Sequence, residues 1–278
     1  MKKQWKNYIK RDPVGFISLI LILVFILLAV FADVIAPYGI NESQFTSPKA
    51  PPSAAHIFGT DELSRDIFSR ILYASRVSLF IGFAPTTINL IIGTTLGMIA
   101  GMTAHKWLDT LIMRIVDIVL SYPFMILAMA IVYNLGASTF NLFLALILVG
   151  WAGTARTVRA QTLSLKNSVY IEAARSMGVS NWKIMLRHIL PNIRSMLMVL
   201  YTMSIPNAIL SEAGLSFLGF GAQPPKTSLG VMVSKGRTYL FDAPWISLAP
   251  AIYILVLSLC LNFFGDSLRD LLDPRRAE

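Results

Sequence analysis

The segment 167–191 carries residue types suited to holding another protein rather than to covalent chemistry. Glu172 is followed directly by Ala173 and Ala174, and Gly178 comes shortly after them. A carboxylate offers an ion pair to a basic partner residue, small alanines let a helix backbone approach another surface, and glycine permits a sharp bend. These residues therefore predict a docking surface on a bent helical segment.

The elements that must position these residues are two short helices around a turn. Asn167 or Ser168 can cap the first helix, and Gly178 falls where a residue of positive φ usually ends a helix. Ser180 can cap the second helix, which is predicted to stop just before Pro191. The product is a compact helical elbow. An amphipathic linker lying on lipid headgroups is the alternative, and composition alone favours it.

Motifs for catalysis or cofactor binding are absent from the sequence. The phosphate-binding pattern GxxxxGK[ST] is not found, and the nearest approach, GAQPPKTS from Gly221, lacks the second glycine. His56, His105 and His188 are dispersed, and Cys260 is the single cysteine, so no metal-ligand spacing occurs. Neither GxSxG nor HExxH is present. We expect a non-catalytic chain that binds no cofactor or metal.

Composition predicts an integral membrane protein. Of the 278 residues, 55% are hydrophobic and only 14% are charged, which does not suit a soluble surface. A bilayer core needs roughly 20 apolar residues in helical form. The 38-residue charge-free run 118–155 is too long for one span and is broken by the turn-like sequence at 134–138. Six spans are predicted, at approximately 16–36, 77–102, 111–134, 139–155, 192–218 and 245–266.

Polar groups within the predicted spans are candidates for function or for helix pairing. Arg114 and Asp117 are three residues apart on one helix face and are predicted to form a structural ion pair. Glu212 precedes a glycine-rich run and is predicted to lie where the fifth span turns at the outer face. Two roles for Glu212 stay open: a gate or vestibule residue that meets the substrate, and a helix-end carboxylate bonded to its neighbours.

Weaker pathway candidates are Asn89, Asn207 and Met203, because polar or pliable side chains suit a water-filled channel. Glycines at 93, 97 and 101 recur every fourth residue of the second span. Such spacing permits close backbone approach, so helix packing is favoured over a ligand role. In the outer segment, the stretch 59–66 alternates charged with apolar residues, as an interfacial helix would.

The distribution of basic residues predicts the orientation. With six spans both termini lie on one side, and that side carries sixteen lysine and arginine residues against seven on the other. The sixteen are Lys2, Lys3, Lys6, Lys10, Arg11, Lys106, Arg156, Arg159, Lys166, Arg175, Lys183, Arg187, Arg194, Arg269, Arg275 and Arg276. The positive-inside rule then places both termini and the elbow in the cytoplasm. The net charge of +9 is explained by membrane insertion and lipid headgroups, and nucleic-acid binding is not expected.

The pattern EAAxxxG followed by ILP, formed by Glu172, Ala173, Ala174, Gly178 and 189–191, resembles the cytoplasmic signature of binding-protein-dependent ABC importer permeases. In that family the elbow is the coupling helix that fits a groove on the ATPase, so the resemblance gives this role to Ile189 and Pro191 as well. Stretches at 59–79, 113–123, 150–165, 212–225 and 265–275 are similar to the dipeptide, oligopeptide and nickel branch. The resemblance covers about 56–276. Gly214 departs from it, because serine is more frequent there.

The resemblance implies an all-α membrane protein with the type I importer permease fold, a MetI-like core preceded by one further helix. It implies a second homologous permease, two ATPase subunits that carry ATP and Mg²⁺, an extracytoplasmic solute-binding protein, and a bacterial or archaeal cytoplasmic membrane. The expected cargo is a di- or oligopeptide or a nickel or other metal complex. Two alternative hypotheses for the function are an ion-gradient-driven secondary transporter and a membrane-embedded enzyme or signalling scaffold.

The chain is thus expected to divide into five parts. These are a cytoplasmic N-terminus at 1–15, a first transmembrane helix at 16–36, an outer loop with an interfacial helix at 37–76, a five-helix core at 77–267 that includes the elbow at 156–191, and a cytoplasmic tail at 268–278.

Overall fold

The computed structural model describes residues 12–43, 48–103 and 105–272. The basic residues predicted to be cytoplasmic at positions 2–11 and at 275 and 276 lie outside these ranges. Within them the chain forms eleven α-helices, numbered here in chain order. They are α1 Pro13–Val30, α2 Ala32–Ile35, α3 Ile67–Met102, α4 Lys106–Ser121, α5 Phe124–Leu135, α6 Thr139–Lys166, α7 Val169–Ser176, α8 Asn181–Ile184, α9 Leu190–Phe217, α10 Leu229–Gly236 and α11 Trp245–Leu272.

Helix α1 is an apolar helix with a defined start. Asp12 Oδ1 accepts a hydrogen bond from the Gly15 N–H at 2.9 Å, and Pro13 occupies the first turn, where no N–H partner is required. Phe25 packs edge-on against Tyr253 of α11, with the ring centroids 4.7 Å apart. The predicted first span therefore consists of α1 followed by the short helix α2.

The stretch 59–66 is a tight turn, and the interfacial helix predicted there is wrong. Asp61 Oδ1 accepts hydrogen bonds from the backbone N–H groups of Leu63 and Arg65, both at 2.9 Å. Ser64 adopts a φ of +58°, which no helix allows. Because the aspartate side chain satisfies these amides locally, the backbone turns instead of continuing as a helix.

Helix α3 begins earlier than the predicted second span. Asp66 caps it by accepting a hydrogen bond from the Ser69 N–H at 2.7 Å, and the helix then runs for 36 residues from Ile67. The predicted start at 77 is therefore ten residues late. Arg70 and Arg76, in the first turns of α3, are bonded to the outer segment and to the end of α1.

The glycines of α3 let it lie directly against α6. A Cβ built on Gly97 would come within 2.6 Å of the Ala155 carbonyl oxygen, and one on Gly101 within 2.6 Å of the Thr162 Cβ. Gly93 meets α6 in the same way. Since real Cβ contacts are never this short, a larger residue would push the helices apart. This geometry agrees with the prediction that these glycines serve helix packing.

The third predicted span is bent. Helices α4 and α5 meet at an angle of 93° across Tyr122 and Pro123. Proline has no N–H for the helical ladder and disfavours a helical residue before it, and Tyr122 is extended accordingly. Among the described residues, five helical segments are long and apolar enough to cross a membrane, or six if the bent pair α4 and α5 is counted as one span. The break between α5 and α6 at 136–138 lies where the polar sequence predicted it.

The helix before Pro191 does not end there, contrary to the prediction. The helical segment from Asn181 to Phe217 is continuous, with a π-helical turn at Met185–Ile189. The Leu190 N–H bonds to the Met185 carbonyl, one residue further back than in an α-helix. A proline removes one bond of the ladder and its ring crowds the preceding turn, so a widened turn just before it absorbs the strain.

The core lies where α1, α3, α9 and α11 meet. Its fully buried members include Ile67, Ile209, Leu229 and Leu257. Helix α10 packs over one end of this cluster, with Gly230 so close to α9 that a Cβ would lie 2.5 Å from the Ala213 Cα. A second cluster, at the far ends of α3 and α6, holds the elbow.

Candidate functional site

The predicted elbow is present at 169–189, and Gly178 makes its turn. Gly178 has a φ of +79°, in the left-handed region that favours glycine. The Val179 N–H bonds to the Ala174 carbonyl at 3.1 Å and the Gly178 N–H to the Arg175 carbonyl at 3.0 Å, which is the bonding pattern of a Schellman helix end. Helix α7 therefore stops at Ser176, and α8 starts in a new direction.

The inner face of the elbow is fixed to the transmembrane helices. Ile171, Ile184 and Ile189 are fully buried and Ala174 nearly so, in a cluster with side chains of α3, α6 and α9. Lys166, at the end of α6, donates hydrogen bonds from Nζ to two carbonyl oxygens at the end of α3. The buried face of the elbow and the ends of these helices therefore form one packed unit.

The outer face of the elbow carries the remaining predicted residues. Glu172, Ala173, Gly178 and Pro191 are exposed, and nothing lies within 4 Å of a Cβ built on Gly178. Large apolar side chains are also exposed around them: Val169, Tyr170, Met177, Trp182 and Leu186. Of the six residues predicted for coupling, Ala174 and Ile189 thus anchor the elbow from within. Glu172, Ala173 and Gly178 lie on its exposed surface, and Pro191 is exposed in the first turn of α9.

A cavity of about 280 Å³ lies between α3, α6, α9 and the bend of α4 and α5. It is lined by Pro85, Thr86, Asn89, Leu90, Leu120, Phe124, Leu146, Val149, Gly150, Gly153, Thr154, Leu200, Tyr201, Ser204, Asn207, Ala208 and Ser211. The cavity brings together Asn89 and Asn207, two of the four residues predicted for the pathway or gate. Met203 is not among the lining residues, and its side chain lies near Gly265 of α11.

Asn89 is held by α6. Its Nδ2 donates to the Leu146 carbonyl at 3.1 Å, and its amide packs on Gly150, where a Cβ would overlap it. Its Oδ1 is buried and has no hydrogen-bond partner among the described residues. Asn207 is exposed and donates a hydrogen bond to the Met203 carbonyl of its own helix, at 3.1 Å. Both amides therefore keep hydrogen-bonding capacity beside the cavity.

Glu212 is fully buried within α9 and lies away from the cavity. Ser78 donates a hydrogen bond to its Oε2 at 3.0 Å, and Ser216 donates to Oε1 at 2.6 Å. Ser78 also accepts a bond from the Leu229 N–H, and Ser216 lies 3.3 Å from the hydroxyl of Ser228, so the network joins α3, α9 and the start of α10. Of the two roles left open by the sequence, these contacts favour the carboxylate bonded to its neighbours.

The predicted ion pair between Arg114 and Asp117 is wrong. Asp117 pairs with Arg156 of α6, across the helix interface. A second interhelical pair joins Asp109 to Arg159 through two parallel bonds of 2.6 Å each. The partner of a charged side chain on α4 depends on which residues of α6 face it. The spacing of residues within α4 does not contain this information.

The sequence did not indicate the cavity or the bend that shapes it. The Tyr122–Pro123 dipeptide inside an apolar run was a usable signal for the bend. The described residues hold no group of three or more histidine, cysteine, aspartate or glutamate side chains close enough to bind a metal ion.

Comparisons with known proteins agree with this geometry. A family described as "Binding-protein-dependent transport system inner membrane component" matches residues 93–278, and "N-terminal TM domain of oligopeptide transport permease C" matches residues 3–52. The chain is 42% identical over 267 residues to the dipeptide transport system permease protein DppC of Alkalihalophilus pseudofirmus, covering 96% of this chain and 88% of the relative.

Two further comparisons extend the similarity. The glutathione transport system permease protein GsiD of Pectobacterium atrosepticum is 40% identical over 272 residues, covering 98% of this chain and 90% of the relative. Among solved structures, a chain of the inward-facing MetNI methionine ABC transporter superposes with a TM-score of 0.59 at 20% identity, covering 73% of this chain and 96% of that one. The structural likeness concerns the fold.

Proposed function

The chain belongs to the family of binding-protein-dependent transport system inner membrane components, and on that premise we propose that it is the permease subunit through which an ATP-binding-cassette importer moves short peptides. The observation that carries the proposal is the helical elbow at 169–189, which is anchored to three transmembrane helices and presents an unpartnered surface. Such a surface fits a docking role.

The elbow is proposed to bind an ATPase subunit. Val169, one turn before Glu172 on α7, is 83% exposed, and Met177, at the end of the same helix, is 77% exposed. Apolar side chains next to a charged group suit insertion into a groove of another protein, with the carboxylate paired to a basic residue there. ATP and Mg²⁺ would be bound and turned over by the partner, and this chain would carry out no covalent chemistry.

Motion of the ATPases would reach the membrane through the buried face of the elbow. Ile171 and Ile184 pack against the ends of the transmembrane helices, and Lys166 ties the end of α6 to that of α3. A tightly packed contact transmits displacement rather than absorbing it. Closure of the ATPases would therefore tilt α3, α6 and α9 together and change access to the cavity between them.

The cavity is proposed to be this chain's part of the translocation pathway. Asn89 and Asn207, together with Thr86 and Ser204, offer amide and hydroxyl groups that can bond a peptide backbone without fixing side-chain identity. A second, homologous permease would complete the pathway. Glu212 and Met203 lie off this cavity and are proposed to support helix packing.

Peptides are the favoured cargo because the relatives are named for dipeptide, glutathione and oligopeptide transport. A nickel or other metal complex is the alternative cargo. A solute-binding protein on the outer side would deliver either. In line with the positive-inside rule, the termini and the elbow are proposed to lie in the cytoplasm and the turn at 59–66 outside.

Reconstitution tests the proposal. The chain is co-expressed with the second permease and the ATPases, and the purified complex is placed in liposomes with the binding protein outside. We expect co-purification of the ATPases and peptide uptake that requires ATP inside. Uptake driven by an ion gradient without the ATPases would instead identify a secondary transporter, and hydrolysis of the peptide without uptake would identify an enzyme.

A further inference from the structure

The cavity between α3, α6 and α9 has no charge of its own. Every residue that lines it is apolar or carries a neutral hydroxyl, amide or phenol. A peptide cargo, by contrast, carries an ammonium group and a carboxylate at neutral pH, and many carry charged side chains. Within the described part of this chain, the nearest opposite charges for such a cargo therefore lie outside the cavity lining.

Asp117 and Arg156 lie immediately beyond it. Asp117 precedes the lining residue Leu120 by three positions on α4, and Arg156 follows the lining residue Thr154 by two positions on α6. At a rise of about 1.5 Å per residue, both positions lie less than one helical turn, about 3–5 Å, along the helices from the nearest lining residue. Arg156 is also about 26 Å along α6 from Thr139, near the elbow-side boundary of a hydrocarbon core of about 30 Å.

The pair differs from its neighbour in how firmly it is held. The side chains of Arg156 and Asp117 are 53% and 55% exposed and are joined by one bond, from Arg156 Nη2 to Asp117 Oδ1. Arg159 and Asp109 are 30% and 25% exposed and are joined by two parallel bonds. An exposed pair with one bond is weakly held and easily opened, whereas a bidentate, half-buried pair behaves as a fixed connection.

We propose that Asp117 and Arg156 form a charged threshold at the elbow-side end of the cavity, which separates during transport and pairs with the charges of the departing peptide. The Asp109–Arg159 pair keeps α4 and α6 together while the threshold opens. The inference rests on the proposed peptide-permease function. Charged groups at membrane depth are costly unless they face water or a partner charge, and a pathway mouth supplies both.

Uptake of charged dipeptides by two variants tests the threshold. Proteoliposomes are prepared with wild-type protein, Asp117→Asn or Arg156→Gln. Each is supplied with saturating Ala-Asp, Ala-Lys or Ala-Ala, and the uptake rates of Ala-Asp and Ala-Lys are each divided by that of Ala-Ala. Since the binding protein is the same throughout, its own selectivity cancels between variants. We expect Asp117→Asn, which leaves Arg156 unpaired, to raise the Ala-Asp to Ala-Lys ratio roughly threefold or more, and Arg156→Gln to lower it by a similar factor.

The second pair supplies the matched control. Asp109→Asn and Arg159→Gln remove the same charges nearby, and we expect them to change all three rates alike. Arg156→Lys keeps the positive charge and should keep the wild-type ratio. If Asp117→Asn does not assemble with the ATPases, Asp117→Ser carries the same expectation.

The proposed threshold would be overturned if the Ala-Asp to Ala-Lys ratio did not change, or if Asp117→Asn and Arg156→Gln shifted it in the same direction. It would also be overturned if Asp109→Asn and Arg159→Gln shifted the ratio equally. Failure of wild-type protein to take up Ala-Ala would instead overturn the proposed function, so the two failures are distinguishable.

Discussion

Substitution of Gly97 by alanine measures how closely α3 and α6 must approach. The new Cβ would lie 2.6 Å from the Ala155 carbonyl oxygen, a backbone atom that cannot rotate away, and 2.8 Å from the Val158 Cβ. An ordinary contact needs about 3.4 Å, so the helices must separate by nearly 1 Å, which forfeits a quarter to a half of the dispersion energy at the contact. Overpacking of this kind costs about 1–3 kcal/mol, offset by up to about 1 kcal/mol of improved helix propensity.

The matched control is Gly153→Ala on α6. Gly153 is also helical, but nothing lies within 4 Å of a Cβ built on it. We expect Gly153→Ala to be neutral or to stabilise by up to about 1 kcal/mol through propensity alone. Thermal unfolding of the purified chain in detergent compares the two, and at about 2–4 °C per kcal/mol, Gly97→Ala should unfold several degrees lower. Equal unfolding temperatures, or a higher one for Gly97→Ala, would refute the packing argument.

Three further expectations concern other contacts. Glu212→Ala removes the acceptor of two buried hydroxyl bonds and should lower the unfolding free energy by about 2–4 kcal/mol. Glu212→Gln keeps an acceptor and should lower it by less than half as much. Equal losses of stability in thermal unfolding would contradict this expectation. Arg159→Lys keeps the positive charge but loses the two parallel bonds to Asp109, so we expect the unfolding free energy to fall by about 1 kcal/mol. Thermal unfolding measures this change, and an unchanged stability would show that the pair contributes nothing. An engineered thiol at the exposed position Ser176, in a Cys260→Ser background, should react with a membrane-impermeant maleimide only in opened cells; labelling of intact cells would reverse the orientation.

Features written in consecutive residues were predictable from the sequence. The left-handed Gly178 between two short helices and the break between α5 and α6 both follow from local turn chemistry, and the structure confirms them. Apolar runs long enough to cross a bilayer likewise indicated where helices lie. Local hydrogen bonds made two such predictions wrong. At 59–66 the Asp61 side chain bonds the backbone amides, so a turn forms where a helix is predicted. At Pro191 a π-helical turn lets the helix continue where an end is predicted.

Features that depend on neighbouring helices were not predictable. The spacing of Arg114 and Asp117 suggests a pair within α4, but Asp117 pairs with Arg156 on α6, which is 39 residues away in sequence. The cavity depends in the same way on the 93° bend and on the facing surfaces of α3 and α9. Polarity alone predicts Asn89 and Asn207 as pathway candidates. The cavity that they share depends on how several helices pack, so the sequence does not predict it.

The central claim is that an ATPase acts on this permease through the exposed face of the elbow. The most direct measurement is ATP-driven peptide uptake, with ATPase stimulation, by complexes that carry Glu172→Lys together with Gly178→Asp. The first substitution reverses the charge of an exposed carboxylate, and the second places a side chain on a backbone with a φ of +79°. We predict that the variant inserts in the membrane and that uptake and stimulation both fall at least about tenfold, which corresponds to about 1.4 kcal/mol of lost coupling. Wild-type uptake and stimulation in the double variant would contradict the account.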